Sequence, residues 1–375
     1  MLRHVVTKVC QLRGQKKETK IGKSMKRVVW LVAVSALFLL GACGGNGSTN
    51  SKGAKLDGAG ATFPFPFYQL AFKTYTDSTG VQVNYGAIGS GGGVRSLKDR
   101  VVDFAGSDAY LTDAEEASFA GGVVHIPTCL GGVAVAFNLP GVTDLKLTHE
   151  IIAGIYLGKI TRWNDPKLQA VNEGVELPDL AITPVYRSDG SGTTFVFSHY
   201  MQEVNEDWRA ALGEGKALNW QNGVAGKGNP GVAALIGGTP GAVGYVGSEY
   251  VFAQGLTSAS VQNREGNFVK PTFETIAAAA EGSITEDLRM MVTNQPGAQT
   301  YPISCLTWIV IPKEQKYGKR EESQAKASVE LLRWMLSDGC QKLTKSVNYV
   351  PLPQPIRARA QELLDGVTYG GEALR

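Results

Sequence analysis

Val81-Gln-Val-Asn-Tyr85, Gly86-Ala-Ile-Gly-Ser-Gly-Gly-Gly93 and Val94-Arg-Ser-Leu-Lys-Asp-Arg100 follow one another without a break, and their reading decides the fold. Residues 81–85 alternate apolar and polar side chains, the period of a half-buried strand. The Gly/Ser run is a tight turn, and a helical pattern covers 92–100. A strand that enters such a turn and leaves as a helix is the unit of α/β architecture with largely parallel sheets. The same alternation continues outward. Short apolar strands are expected at 123–126, 132–137, 182–186, 242–246 and 306–311, with helices at 65–76, 149–157, 193–204 and 325–337. The chain has 375 residues, of which 43 % are apolar. That is enough for two domains of ordinary size, each with a real core. No internal repeat or low-complexity segment interrupts the body.

Two further turns resemble the one at 86–93. Gly58-Ala-Gly-Ala-Thr-Phe63 leads into Pro64, a residue favoured in a first helical turn. Arg187-Ser-Asp-Gly-Ser-Gly-Thr-Thr194 follows a strand and opens the 193–204 helix. A strand, a Gly/Ser/Thr turn and a helix together point unpaired N–H groups and a positive dipole end at an anion. Thr62, Ser90, Ser191 and Thr193 add hydroxyl donors, and Arg187 adds charge. Taken singly, each turn is also what a Ser- or Thr-capped helix carries for structural reasons alone. Three turns of this kind in one chain, one of them bearing an arginine, favour anion binding.

Charge narrows the class. Nine of the 37 Lys and Arg, but only one of the 34 acidic residues, lie in 1–42, which leaves 28 basic and 33 acidic residues in the rest. A net-acidic body argues against a nucleic-acid binder, which needs a basic face. Any anion must be held by local groups. Nucleotide motifs are absent as well. No glycine turn continues into Gly-Lys-Ser or Gly-Lys-Thr, none completes Gly-x-Gly-x-x-Gly, and Gly190-Ser-Gly192 does not form Gly-x-Ser-x-Gly. His125, His149 and His199 read as structural or surface residues. The cysteines lack paired metal-ligand spacing. With no base, nucleophile or metal cluster beside the turns, the sequence reads as a binding protein without cofactor rather than an enzyme.

The start of the chain reads as an address. Lys26-Arg27 precede the apolar run 28–40, which closes on Leu40-Gly41-Ala42-Cys43. A charged region, a short apolar run and small residues before a cut site describe a secretory signal. The run falls short of the roughly 20 residues a membrane span needs. Leu-Gly-Ala-Cys resembles a bacterial lipobox, so residues 1–42 are expected to be removed and Cys43 to carry lipid. Met25 is an alternative start. Residues 43–54, rich in Gly, Ser and Asn, form a flexible tether. The expected location is the outer face of the cell membrane, periplasmic or extracellular. Beyond Cys10 and Cys43 there remain Cys129, Cys305 and Cys340, an odd number.

Two acidic residues complete the candidate site. Asp108 stands where the apolar run 102–106 ends, the end of a strand at which open α/β sheets bind ligands. It is equally suited to capping or turn formation. Asp189, two residues from Arg187, is placed to hold the guanidinium.

Several segments stand together in one order: Gly-Ala-Gly-Ala-Thr-Phe-Pro (58–64), Gly-Ser-Gly-Gly-Gly-Val (89–94), Asp-Phe-Ala-Gly-Ser-Asp (103–108), Ile-Tyr-Leu-Gly-Lys-Ile (155–160), Arg-Ser-Asp-Gly-Ser-Gly-Thr-Thr-Phe (187–195), Gly-Lys-Gly-Asn (226–229) and Pro-Gly-Ala-Val-Gly-Tyr-Val (240–246). This set closely resembles the phosphate-binding proteins of high-affinity phosphate ABC transporters over about 55–353. The resemblance implies a type II periplasmic-binding-protein fold, two α/β lobes joined by two crossover strands. Lobe I would be 55–128 plus 305–375, and lobe II 129–304. It further implies a monomer that binds inorganic phosphate and delivers it to permease subunits. Position by position, the ligand groups fall on Thr62, Phe63, Ser90, Asp108, Arg187, Ser191, Gly192 and Thr193, with Asp189 as the partner of the arginine. Other tetrahedral oxyanions, sulfate or molybdate, are the rival ligands, and a phosphate-ester hydrolase is the rival activity. Cys129 and Cys305 are not part of the family pattern. Each closely follows a proline and lies on a strand that the resemblance makes a neighbour of the other, so a disulfide between them is expected. Two small buried apolar residues are the alternative.

Overall fold

The computed structural model describes residues 53–282 and 284–374. The signal segment, Cys43 and nearly all of the tether therefore lie outside the described residues. One nine-stranded sheet organises the fold. Its strands are β1 (Lys55–Gly60), β2 (Gln82–Ala87), β3 (Phe104–Ser107), β4 (Val123–Phe137), β5 (Thr183–Arg187), β6 (Val224–Gly226), β7 (Ala242–Gly247), β8 (Thr257–Ser258) and β9 (Ser304–Pro312). They lie in the order β2-β1-β3-β9-β4-β7-β5-β6, with β8 also on β4. β1 pairs in parallel with β2 and β3, and β5 in parallel with β6 and β7. Between these two parallel halves run β4 and β9, antiparallel to each other and to both flanks. The far end of β9 (Trp308–Val310) pairs with β3, whereas 133–137 of β4 pair with β7. One antiparallel pair thus serves both halves, and the chain has the expected two-lobe α/β fold.

The helices that matter for the site are α1 (Phe65–Thr79), α2 (Ser90–Lys98), α3 (Gly192–Val204), α4 (Gly228–Gly238) and α5 (Ser248–Gln254). α1 illustrates why they form and where they go. Pro64 sets its entry, and Gly80 closes it in the left-handed conformation (φ 80°), its N–H returning to the Thr76 carbonyl. Phe67, Tyr68, Ala71, Phe72 and Tyr75, at helical spacing, face the core. Each large side chain so buried contributes roughly 1.5–3 kcal/mol.

The sequence-based expectations and the fold differ in three places. The strands expected at 123–126 and 132–137 are one 15-residue strand, buried throughout. Pro127 and the glycines at 131 and 132 make the sequence look broken there. The ladder absorbs the proline at a bulge: Trp308 faces Pro127 and Thr307 faces Cys129, so Thr128 is the extra residue. Parts of the first two glycine turns are strand, since β1 runs through Gly60 and β2 through Ala87. The expected Cys129–Cys305 disulfide is not made, and both cysteines are free, buried thiols. The register explains this. Cys129 is opposite Thr307 and Cys305 is opposite Gly131, so the two are offset diagonally rather than facing each other. No described helix is long and apolar enough to cross a membrane.

Candidate functional site

The three turns meet. α2 begins at Ser90 and α3 at Gly192, and the bonds between these two helix starts join the halves of the fold. Gly192 N donates to Ser90 Oγ (3.1 Å), and Gly91 N donates to the Gly190 carbonyl (2.9 Å). A Cβ on Gly192 would lie 2.5 Å from Ser90 Oγ and 2.7 Å from Asp108 Cβ, so only glycine permits this approach. Gly89, at φ 90°, is constrained likewise: a Cβ there would lie 2.3 Å from Asp189 Oδ2. Ser191 caps α3 by accepting from Thr194 N (3.0 Å).

Arg187 emerges at the end of β5, only 4 % exposed. Its Nε and Nη2 donate to the two carboxylate oxygens of Asp189 at 2.8 and 2.5 Å, and Nη1 donates to Thr193 Oγ1 at 3.3 Å. Asp189 therefore occupies one edge of the guanidinium, which leaves hydrogens on Nη1 and Nη2 for an anion. Burial opposes ionisation of Asp189, but the Arg187 guanidinium and the Gly228 N–H outweigh it and hold the carboxyl below its usual range. Beneath Arg187, its backbone N–H donates to Tyr245 Oη (3.1 Å), which also shares a 2.7 Å hydrogen bond with Thr194 Oγ1. The Tyr245 ring stacks on Phe197, with centroids 4.5 Å apart, and faces Trp220 at 5.9 Å.

Asp108 sits just past β3, 1 % exposed. Thr307 of β9 donates to its Oδ1 (2.9 Å), and Thr193 Oγ1 lies 3.5 Å from its Oδ2. Burial pushes the carboxyl up to about 7, against the opposing pull of the Thr307 hydroxyl, Arg187 and the Thr193 hydroxyl. Thr62 is buried at the turn into α1, where its hydroxyl accepts from Asn229. The Phe63 carbonyl accepts from the Tyr349 hydroxyl, and the Thr62 carbonyl accepts from the Tyr250 hydroxyl at 2.7 Å.

The eight residues expected as ligands thus lie in one buried assembly, with Asp189 half-buried beside it. Thr62, Ser90, Asp108, Arg187, Gly192 and Thr193 are joined by hydrogen bonds directly or through Asn229, with Phe63 and Ser191 on their backbones. Sequence reading missed Asn229, Thr307 and the acid Glu249. Asn229 lay within the quoted Gly-Lys-Gly-Asn motif, which was the available signal. Thr307 gave none, being one residue of an apolar strand. Glu249 is 1 % exposed, and neither carboxylate oxygen has a hydrogen-bond partner. Burial pushes its carboxyl well above the usual range. His125 is a buried acceptor, taking the Leu111 N–H on Nε2 (3.0 Å), and burial lowers its pKa to about 3. Among the described residues no cluster of three or more His, Cys, Asp or Glu is arranged to hold a metal.

Two parallel half-sheets joined by an antiparallel pair, with donors converging from both, define a substrate-binding protein. The family model described as the PBP superfamily domain matches residues 46–339. The chain is 39 % identical over 308 residues to the phosphate-binding protein PstS of Xylella fastidiosa, covering 81 % of this chain and 83 % of that one. It is 37 % identical over 341 residues to PstS of Pasteurella multocida, covering 90 % and 94 %. The chain belongs to the phosphate-binding-protein family of the PBP superfamily. The phosphate-binding protein from Stenotrophomonas maltophilia shares the fold at a TM-score of 0.66 and 20 % identity, over 82 % of this chain and 93 % of that one. The periplasmic phosphate-binding protein PfluDING, solved with phosphate, matches at 0.63 and 19 %, over 84 % and 99 %.

Proposed function

We propose that the chain is an extracytoplasmic receptor that closes two lobes, 55–128 with 305–375 and 129–304, around inorganic phosphate and delivers it to the permease of an ABC importer. The observation that carries this reading is the meeting of an arginine, hydroxyls and helix-start N–H groups from both halves around a single buried carboxylate, Asp108. A buried phosphate sheds its water and needs a hydrogen bond on every oxygen. Thr62, Ser90, Ser191 and Thr193 supply hydroxyls. The turns at Phe63 and Gly192 supply backbone N–H groups, the Gly192 N–H by exchanging Ser90 Oγ for the ligand, and Arg187 supplies charge. Because donors come from both lobes, the anion favours the closed state and shifts the hinge equilibrium. The receptor acts as a monomer, without cofactor and without turnover.

Asp108 separates this reading from a sulfate or molybdate receptor, since a carboxylate facing the ligand suits an oxyanion that carries a proton. Calorimetry of the body from residue 55 with phosphate, sulfate and arsenate tests it. Phosphate and arsenate should give saturable heat and sulfate little. A sulfate isotherm as tight as that of phosphate refutes the reading.

The anchor is the lipid on Cys43, motivated by Leu40-Gly-Ala-Cys43 after the charged and apolar segments. Several acyl chains make such anchoring stable. Cys43→Ser should abolish lipid labelling and accumulate the precursor, and normal labelling of the variant would contradict the assignment.

A further inference from the structure

We propose that Asn229 is a positioning residue that fixes the direction of the Thr62 and Thr193 hydroxyl protons, so that both hydroxyls meet the anion only as donors. This rests on the phosphate reading of the same site.

Asn229 is fully buried at the start of α4. Its side-chain Oδ1 accepts from Gly247 N (3.0 Å). A backbone N–H can only donate, so this bond fixes which end of the amide is oxygen. The Nδ2 end then points at two hydroxyls, Thr62 Oγ1 at 3.0 Å and Thr193 Oγ1 at 3.1 Å. The backbone N–H of Asn229 adds a second bond to Thr62 Oγ1, also 3.0 Å.

A hydroxyl has one hydrogen and two acceptor lone pairs. Both lone pairs of Thr62 Oγ1 are taken by Asn229, so its hydrogen is left to donate. Thr193 Oγ1 accepts from Asn229 and from Arg187 Nη1 (3.3 Å), so it too is saturated as an acceptor. Its hydrogen has Asp108 Oδ2 as a distant acceptor at 3.5 Å. An anion offers only lone pairs at the oxygens these groups would meet. Hydroxyls already committed as donors lose no rotational freedom on meeting it, and donors set in advance bind more tightly than donors that must be ordered. Asn229 also spans the two halves, with Thr62 on one side and Thr193 on the other, so the amide sets both protons in the closed arrangement.

A double-mutant cycle tests this. Asn229→Ala should weaken phosphate binding about ten- to thirtyfold in the wild-type background, the effect of roughly one to two hydrogen bonds. In a Thr62→Val/Thr193→Val background the same change should cost less than about twofold, because the groups it acts through are gone. Equal losses in both backgrounds would show a merely structural role and overturn the proposal. Asn229→Asp, nearly isosteric, guards against misfolding of the alanine variant. Its affinity relative to wild type should recover as pH falls, since a protonated carboxyl regains one donor. A ratio that does not change with pH overturns the proposal as well. If wild type itself takes up no phosphate, the phosphate reading fails and this inference fails with it. If wild type binds phosphate and the cycle is additive, only the role of Asn229 is lost.

Discussion

Arg187→Ala should weaken phosphate binding by about 1.5–3 kcal/mol or more, a loss of one to two orders of magnitude read directly by calorimetry. Two effects add. The anion loses a charge-assisted donor in a dry cleft. Asp189, whose oxygens now accept from Nε and Nη2, is left as a carboxylate without its cation beside that anion. Lysine is a poor substitute, because a single ammonium cannot reproduce a fork held by Asp189 on one edge. Asp189→Asn should cost less than Arg187→Ala, since it leaves the charge in place and only loosens it. Wild-type affinity in Arg187→Ala would mean that the anion does not sit against the Arg187 guanidinium.

Asp108→Asn should erase most of the discrimination between phosphate and sulfate. Near neutral pH phosphate keeps a proton and sulfate keeps none. An ionised Asp108 accepts the phosphate O–H, whereas against sulfate it places two acceptors face to face. Sites built on one obligatory hydrogen bond discriminate by about 10⁴ or more. An asparagine can turn its NH₂ toward sulfate, and its oxygen can still accept from phosphate, so phosphate affinity itself should change little.

The raised carboxyl adds a pH signature. With its pKa at about 7, Asp108 is ionised above that pH and increasingly protonated below it. Discrimination against sulfate should therefore be greatest above pH 7 and shrink as pH falls through it, because a protonated carboxyl can donate to sulfate. The sign for stability follows from the same shift. A carboxyl raised in the folded state stabilises the fold below its ordinary range, and that contribution is lost as pH climbs toward 7. In the chain without ligand, Asp108→Asn should flatten that slope. Competition binding of the two anions to both proteins, at fixed salt and several pH values, checks these outcomes. Wild type that takes sulfate as well as phosphate at pH 8 would remove the mechanism.

Much of the site was legible because its parts are local. A Gly/Ser/Thr turn between a strand and a helix carries its signal within eight residues, so Ser90, Arg187 and Ser191 stand out once three such turns occur in one chain, and Gly192 follows from the family resemblance. What could not be read was the geometry between distant segments. Thr307 holds Asp108 across 199 positions of sequence, and Asn229 reaches Thr62 across 167. Thr307 has no local signature, because a threonine in an apolar strand looks like strand, and the Gly-Lys-Gly-Asn motif marks Asn229 without showing what it reaches. The long β4 was missed for the opposite reason. Pro127 and two glycines are strong local breakers, and only the bulge at Thr128 keeps the ladder continuous. The cysteines show how adjacency of strands differs from register: the two strands are neighbours, yet the thiols are offset by one diagonal step.

The tyrosine beneath Arg187 has a practical consequence. Its hydroxyl touches the arginine backbone, and its ring lies against Trp220, which also stacks on Tyr186 at 5.0 Å between centroids. The emission of an indole depends on the dipoles and rings around it. The proposed anion site is thus in packing contact with a fluorophore native to the chain, and phosphate capture should change its emission, which stopped-flow measurement of unlabelled protein checks.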